Sequence, residues 1–343
     1  MDIACGLGAQ YRRNKMPVFK GTVGTAEELL TIIKDSVSNV ADMGVEAWDV
    51  MRYDTAKQEL IIKGPGTKKI DGSRGTDEIY VGIKLNSVAS IKYFALNGYT
   101  GYDPLLEFDE QPGYIPHSPS RIYGPPAVPL VCTSMHYWIV ANGRRVVVVT
   151  RVGTRYEAMY LGLLKPYADA GQYPYPLVVG GSMTGRNYDD MKSNYDFSFV
   201  REDTDHRHFT DPGSINGHVS ALRLRRHDGS WATFANKTYT HPHAVTPPPE
   251  NIGDFNYCTW PYENPLLDLL PNTDDTYTLF PIILYEKQDT RARAMFGEFD
   301  GCYWVSGQIM GPEDTITIDT TKYLVIINVF RNTAGDYWAL RLD

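Results

Sequence analysis

The feature that most constrains this chain is a pair of apolar runs on either side of Asn142-Gly143. Tyr137-Trp138-Ile139-Val140-Ala141 precedes the dipeptide, and Arg145 to Thr150, four consecutive valines at its centre, follows it. Asn-Gly between two apolar runs favours a two-residue type I′ hairpin turn, because both central positions need positive φ. The expectation is an antiparallel hairpin with Asn142 and Gly143 at its tip. Arg155 to Leu164 adds another apolar strand, which Pro166 stops. Pro174 to Gly181 reads as an extended segment whose prolines keep it out of a central ladder.

Upstream, Thr25 with Glu28 three residues later matches a capping box. Leu29, Leu30, Ile32, Ile33, Val37 and Val40 then recur at helical spacing, and Gly44 closes the pattern. Beyond Gly44 the period switches to two. Trp48 to Tyr53 and Glu59 to Lys63 read as a hairpin, and Asp77 to Leu85 and Ile91 to Leu96 as its continuation. Short strands are expected at Ser220 to Leu224 and Ser230 to Phe234. Five more close the chain: Tyr277 to Tyr285, Gly301 to Gly307, Thr315 to Asp319, Lys322 to Phe330 and Tyr337 to Leu342.

The predicted class is mainly β: antiparallel β-sandwich or open-barrel layers with one N-terminal amphipathic helix. The expected division is an α+β domain over 1–100, a Pro/Tyr-rich linker or extended surface loop over 101–131, and a β-rich domain over 132–343. Within the first domain, residues 1–20 read as an irregular arm. Long loops are expected at 183–218 and 238–265.

Composition bounds the function. A chain of 343 residues is long enough to bury about 75% of its unfolded surface, so it needs neither disulfides nor a structural metal. Its 24 tyrosines suit half-buried sheet and interface surface. The net charge of −8 and the lack of a clustered basic face argue against nucleic acid as a partner. Cys5, Cys132, Cys258 and Cys302 stand far apart and read as small buried hydrophobes. No apolar run approaches the roughly 18 residues of a membrane-spanning helix, and the first residues lack a signal-peptide layout. Synthesis in the cytoplasm without membrane insertion is the expectation.

Candidate chemistry is sparse. His206 with His208 and His241 with His243 form HxH pairs, which on a strand share a face and could offer two metal ligands each. Asp203, Asp205 and Asp211 lie near the first pair. Both pairs sit in polar or proline-rich sequence, where solvated surface is the simpler reading, so no metal or cofactor is expected. Glu107, Asp109 and Glu110 cluster in one loop, as do Asp189 and Asp190. Paired carboxylates could serve a glycosidase, but such clusters are common on surfaces. Trp231, Tyr257, Trp260 and Tyr262 are candidates for a glycan-stacking or subunit-contact face. No phosphate-binding glycine loop or nucleophile elbow is present.

The segment Tyr137 to Ser182 resembles one shared by virion proteins of tailed bacteriophages that infect Gram-negative bacteria. Gly75 to Gly82, Asp300-Gly-Cys-Tyr-Trp-Val-Ser-Gly307, His206 to Phe209, and Asn328 to Arg331 with Asp336 to Leu342 agree with it. The likeness covers roughly residues 45–343, interrupted at 183–202 and 238–256. It implies a non-enzymatic structural component of the virion, in the tail or baseplate, with other virion proteins and copies of itself as partners. It carries no catalytic residue across. The alternatives are an outward-facing module that binds a host-surface glycan, and a metal- or carboxylate-dependent hydrolase.

Overall fold

The computed structural model describes residues 16–88, 91–116, 125–130, 134–184, 209, 222–232, 238–241, 269–273, 276–287, 293–328 and 337–343. Their strands are antiparallel and form three sheets. The central sheet contains β1 (Val18–Val23), β7 (Met135–Asn142), β8 (Arg145–Val152), β9 (Arg155–Leu163), β11 (Leu177–Gly180) and β13 (Leu222–Leu224), in that order. The N-terminal sheet runs β12 (Met183–Thr184), β6 (Pro126–Leu130), β5 (Ile91–Tyr99), β4 (Ile79–Val88), β3 (Glu59–Gly64) and β2 (Asp49–Asp54). The C-terminal sheet runs β14 (Thr238–His241), β15 (Phe280–Lys287), β16 (Arg293–Val305), β19 (Tyr337–Arg341), β18 (Thr321–Ile327) and β17 (Thr315–Ile318). A two-residue strand, β10 (Lys165–Pro166), carries the chain from the end of β9 onto β16.

The valine run explains this layering. Successive strand residues point to opposite faces, and in β8 both faces are covered. Val146 and Val148 face one core with Ile139, Ala141, Met159, Leu161 and Val179, against Leu60, Ile62, Val81, Phe94 and Leu96 of the N-terminal sheet. Val147 and Val149 face another with Val140, Ala158, Tyr160, Val178 and Leu224, against Leu284, Phe296, Trp304, Leu324 and Trp338 of the C-terminal sheet. A strand with no polar face must lie inside a stack. The fold is three sheets deep.

The helix α1 (Ala26–Ser38) begins where expected. The Thr25 hydroxyl accepts from the Glu28 amide at 3.1 Å, and the Glu28 carboxylate accepts from the Thr25 amide at 3.3 Å. Leu29, Leu30, Ile33 and Val37 enter the first core. A short helix, α2 (Val40–Met43), follows, and Gly44 caps it at φ +58°.

Several expectations need correction. The hairpin of β7 and β8 forms, but its tip is Gly143-Arg144, since Asn142 pairs with Arg145. Neither tip residue has positive φ. Instead the Asn142 carboxamide oxygen accepts the Arg144 and Arg145 amides at 2.9 and 3.0 Å, an Asx turn that outcompetes the type I′ geometry. Residues 18–20 belong to β1 rather than to an irregular arm, and β1 pairs with β7 across 111 residues of intervening sequence, Val18 facing Val140 and Val23 facing Met135. The expected division at 1–100, 101–131 and 132–343 is crossed by one core that runs from Val23 to Trp231.

Of the two readings of 101–131, the described residues fit the surface loop rather than the linker. The segment's last described part is β6, and its first part folds over the outer face of the N-terminal sheet, where Phe108 packs on Ile61, Tyr80 and Tyr99. Buried Gln111 holds that loop by donating to the Asp103, Leu106 and Glu107 carbonyls at 3.0, 2.8 and 3.2 Å. The prolines before β11 do not exclude it from the ladder. They end at Pro176, and β11 then pairs with both β9 and β13. The excursion at 183–218 begins as β12 and returns to the second core at Phe209, fully buried against Tyr160, Phe299 and Trp338. The loop expected at 238–265 opens with β14.

If both faces of the central sheet are true cores, truncations on opposite faces should cost alike. Leu161→Ala, facing the N-terminal sheet, and Leu224→Ala, facing the C-terminal sheet, should each lose about 2–5 kcal/mol in denaturant melts. A loss under about 1 kcal/mol on either side would mean that the corresponding layer is not packed as described.

Candidate functional site

The hairpin tip is where the three sheets meet. The Asn142 carbonyl accepts from the Trp48 indole N–H at 2.8 Å, and the Gly143 carbonyl from the Gly66 amide at 2.7 Å. Arg144 donates to the Thr67 hydroxyl at 2.8 Å and the Leu164 carbonyl at 2.7 Å. The contacts with Trp48, Gly66 and Thr67 bind the N-terminal layer to the central one. On the other side Asn142 donates to Asp300 Oδ2 at 3.3 Å, and Arg145 Nε lies 3.6 Å from the same oxygen. Lys165 Nζ sits 3.4 Å from Glu298 and 3.7 Å from Asp300. Asn142-Gly143-Arg144-Arg145 and Asp300-Gly301-Cys302, two of the segments that carry the phage resemblance, are therefore neighbours.

The chemistry of this junction is that of a buried ion pair. Arg145 is fully buried. Burial pushes the Asp300 carboxyl up, but the charges of Arg145 and Lys165, the Asn142 amide and the charge of Arg144 outweigh it and hold the group below its usual range. Gly301 is required here. Its φ is +74°, and a Cβ would fall 2.2 Å from an Arg145 guanidinium nitrogen. Cys302 is buried beside it, and burial pushes its thiol up to about 12, so it stays protonated and unreactive. This agrees with its reading as a buried hydrophobe; Cys5, Cys132 and Cys258 lie outside the described residues.

A second polar cluster fastens the far end of the central sheet. The Tyr156 hydroxyl donates to Glu313 Oε1 at 2.7 Å, and Arg151 pairs with the same carboxylate. Burial first, then the neighbouring Glu313, pushes the Tyr156 phenol up to about 12, so it remains a donor throughout the neutral range. Glu313 closes a loop, residues 306–314, that folds over the outer face of the C-terminal sheet. There Met310 and Ile316 pack with Tyr277, Tyr323 and Tyr337 around Val305, Val325 and Ala339.

That loop and the turn after β17 hold most of the backbone strain among the described residues. Four non-glycine residues among those described have positive φ, and three are Ile309 (+62°), Glu313 (+72°) and Asp319 (+53°). A β-branched residue in this region is a true outlier. Ile309 is also 80% exposed, so no core contact requires it there. Strain of this kind persists where the surroundings over-determine the backbone, and it gathers at functional positions. The surroundings are visible: Tyr277 donates to the Gln308 carbonyl at 3.2 Å, Gly311 to the Asp314 carboxylate at 2.7 Å, and Glu313 to the Val325 carbonyl at 2.8 Å.

The residues singled out in the sequence fare differently. Trp231 does not offer a ring face to a sugar. It is 8% exposed, its indole donates to the Gly113 carbonyl at 2.8 Å, and its ring fills the space a Cβ on Gly98 would need. Its neighbours in proline-rich sequence suggested display, but a tryptophan with a reachable carbonyl is better buried. Tyr257, Trp260 and Tyr262 lie outside the described residues, as do His206, His208, His243, Asp189, Asp190, Asp203, Asp205 and Asp211. His241 ends β14 opposite Ile283. Among the described residues no group of three or more His, Cys, Asp and Glu converges as a metal site. Glu107 is exposed and paired with Lys57 at 2.7 Å, whose hydrogen bond holds its carboxyl below the usual range. No helix among the described residues is long and apolar enough to cross a membrane.

No protein-family model matches the chain, and a search of the curated proteins finds no significant match.

Two measurements probe these clusters. Asp300→Asn keeps the shape but leaves Arg145 buried without its counter-charge, and should cost about 3 kcal/mol in denaturant melts. A carboxyl held low in the fold contributes stability that is complete above its unfolded pKa and lost as pH falls through the folded value. The wild type should therefore lose the Asp300 contribution below about pH 4, and the variant should lack that part of the acid dependence. Ile309→Gly removes a Cβ penalty of roughly 1–2 kcal/mol at positive φ, and should raise the melting temperature. A lowered one would show that Ile309 packs in the folded chain.

Proposed function

We propose that this chain is a non-enzymatic structural subunit of a tailed-phage particle, placed in the tail or baseplate. The observation that carries the reading is the use made of the segments that resemble phage virion proteins. Asn142 to Arg145 and Asp300 to Cys302 meet at the junction of three sheets, where their polar groups bind layer to layer. Residues whose work is to brace a stack of sheets suit a part that must keep its shape within a large assembly. The exposed apolar and strained features, Ile309 and the edge at β17, suit contact with other subunits. Symmetric particles repeat their parts, so the subunit would act in several copies.

Cryo-electron microscopy of purified particles tests the proposal directly. The expected result is this chain in repeated copies on the tail or baseplate, with the 306–314 loop against a neighbour. Particles that lack the chain altogether, although it is made during infection, would overturn it.

A further inference from the structure

Three sheets have six edges, and two of those whose flanks are described are guarded. β1 carries Lys20, and β2 carries Asp49, Arg52 and Asp54 with a bulge between Val50 and Arg52. β12 and β13 each adjoin sequence outside the described residues. Charge, bulges and short length are the usual means of stopping a sheet from adding a foreign strand. β14 is uncharged too, but the sequence on either side of it lies outside the described residues. β17 is the exception whose flanks are described. Its sequence is Thr-Ile-Thr-Ile, β-branched throughout, with no charge, proline or internal bulge, and no described strand lies on its outer side.

The hydrogen-bond phase shows which groups this edge offers. β17 and β18 are joined by the two residues Asp319-Thr320, so Ile318 and Thr321 form the bonded closing pair. Ile316 and Tyr323 form the next. Beyond them, Val325 donates to the Asp314 carbonyl at 2.8 Å, which keeps the same phase. Thr315 and Thr317 therefore turn their N–H and C=O groups outward, and both residues are exposed.

The charges at the two ends select the guest. Asp314 and Asp319 are both exposed and bracket the strand. Antiparallel pairing of Thr315 with Thr317 of a second copy would bring each Asp319 against the other chain's Glu313-Asp314 turn. Like charges facing across a ladder are disfavoured. A strand with basic residues at its ends meets the opposite situation. The residues at positive φ flank the same strand: Ile309 and Glu313 precede β17 and Asp319 follows it.

We infer that the outer edge of β17 is a strand-addition site for an extended segment of a different polypeptide, one with β-branched or apolar residues between basic ends. Main-chain bonds from Thr315 and Thr317 give the attachment, and Asp314 and Asp319 choose the partner's charge. The inference goes beyond the structural role proposed above and does not depend on it, because it can be measured on the isolated full-length chain.

The probe is a capped peptide, Lys-Val-Thr-Val-Thr-Val-Lys, against a control with glutamate at both ends. At a concentration about ten times its Kd, the lysine peptide should slow exchange of the outward Thr315 and Thr317 amides by roughly tenfold. The glutamate peptide should not. Thr317→Pro removes an outward donor at an edge position that tolerates proline, and should weaken binding about tenfold, one hydrogen bond's worth, with an unchanged melting temperature. Asp319→Asn keeps a residue that tolerates positive φ, and should weaken the lysine peptide several-fold and flatten its salt dependence. Failure of the lysine peptide to bind, equal binding of the control, or protection at another strand would overturn the inference. So would strong protection of the Thr315 and Thr317 amides in the free chain, which would mean that a segment of the same chain or a second copy already occupies the edge.

Discussion

Everything in this fold follows from a strand that has no polar side. The four valines from Val146 to Val149 alternate between two cores, each closed by its own sheet. A half-buried sheet needs one partner layer, whereas this one needs two. The chain therefore cannot be a simple sandwich. It must bring sequence from both ends to cover the middle, and the N-terminal strand and helix pack with the first hundred residues while the last sixty supply the other layer. That demand also explains why one core ignores the boundaries that composition suggests.

Apolar stacking fixes the order of the layers but not their register, since sliding one sheet over another changes little apolar area. The polar junction at Asn142 to Arg145 supplies the missing specification. Its bonds to Trp48, Gly66 and Thr67 on one side and to Asp300 on the other have definite lengths and directions. A buried guanidinium tolerates few positions of its counter-charge, so the pair acts on specificity more than on net stability. Glu313 with Tyr156 and Arg151 does the same at the other end of the central strands. Two pins, far apart along β8, prevent rotation as well as sliding.

What was legible in the sequence was local. The capping box at Thr25, the period of two after Gly44 and the hairpin around Asn142 all depend on residues within a few positions of one another, and all appear in the structure. The mainly antiparallel β class follows from them. Pairing across distance was not legible. Nothing in Val18 to Val23 announces that it will lie against β7, and nothing in Trp231 says that Gly98 leaves room for it. Even the hairpin tip moved by one residue, because the Asn142 side chain can bond two amides at once, and a rule about backbone φ does not weigh that. The junction was present in the sequence as two separate patches of resemblance, and only folding makes them neighbours.

The same limit applies to the edge at β17. Read alone, Thr315 to Asp319 is one more strand, and the sequence contains no sign of whether it lies inside a sheet or at its margin. Position gives it meaning. An interior strand may be uncharged without consequence, whereas an edge strand without a guard leaves donors and acceptors facing water. The loop before it is pinned to the central sheet through Glu313, and the turn after it places an aspartate where glycine would be easier. A backbone arranged at that cost, beside the one well-described edge that carries no protection, is consistent with an edge kept open for use.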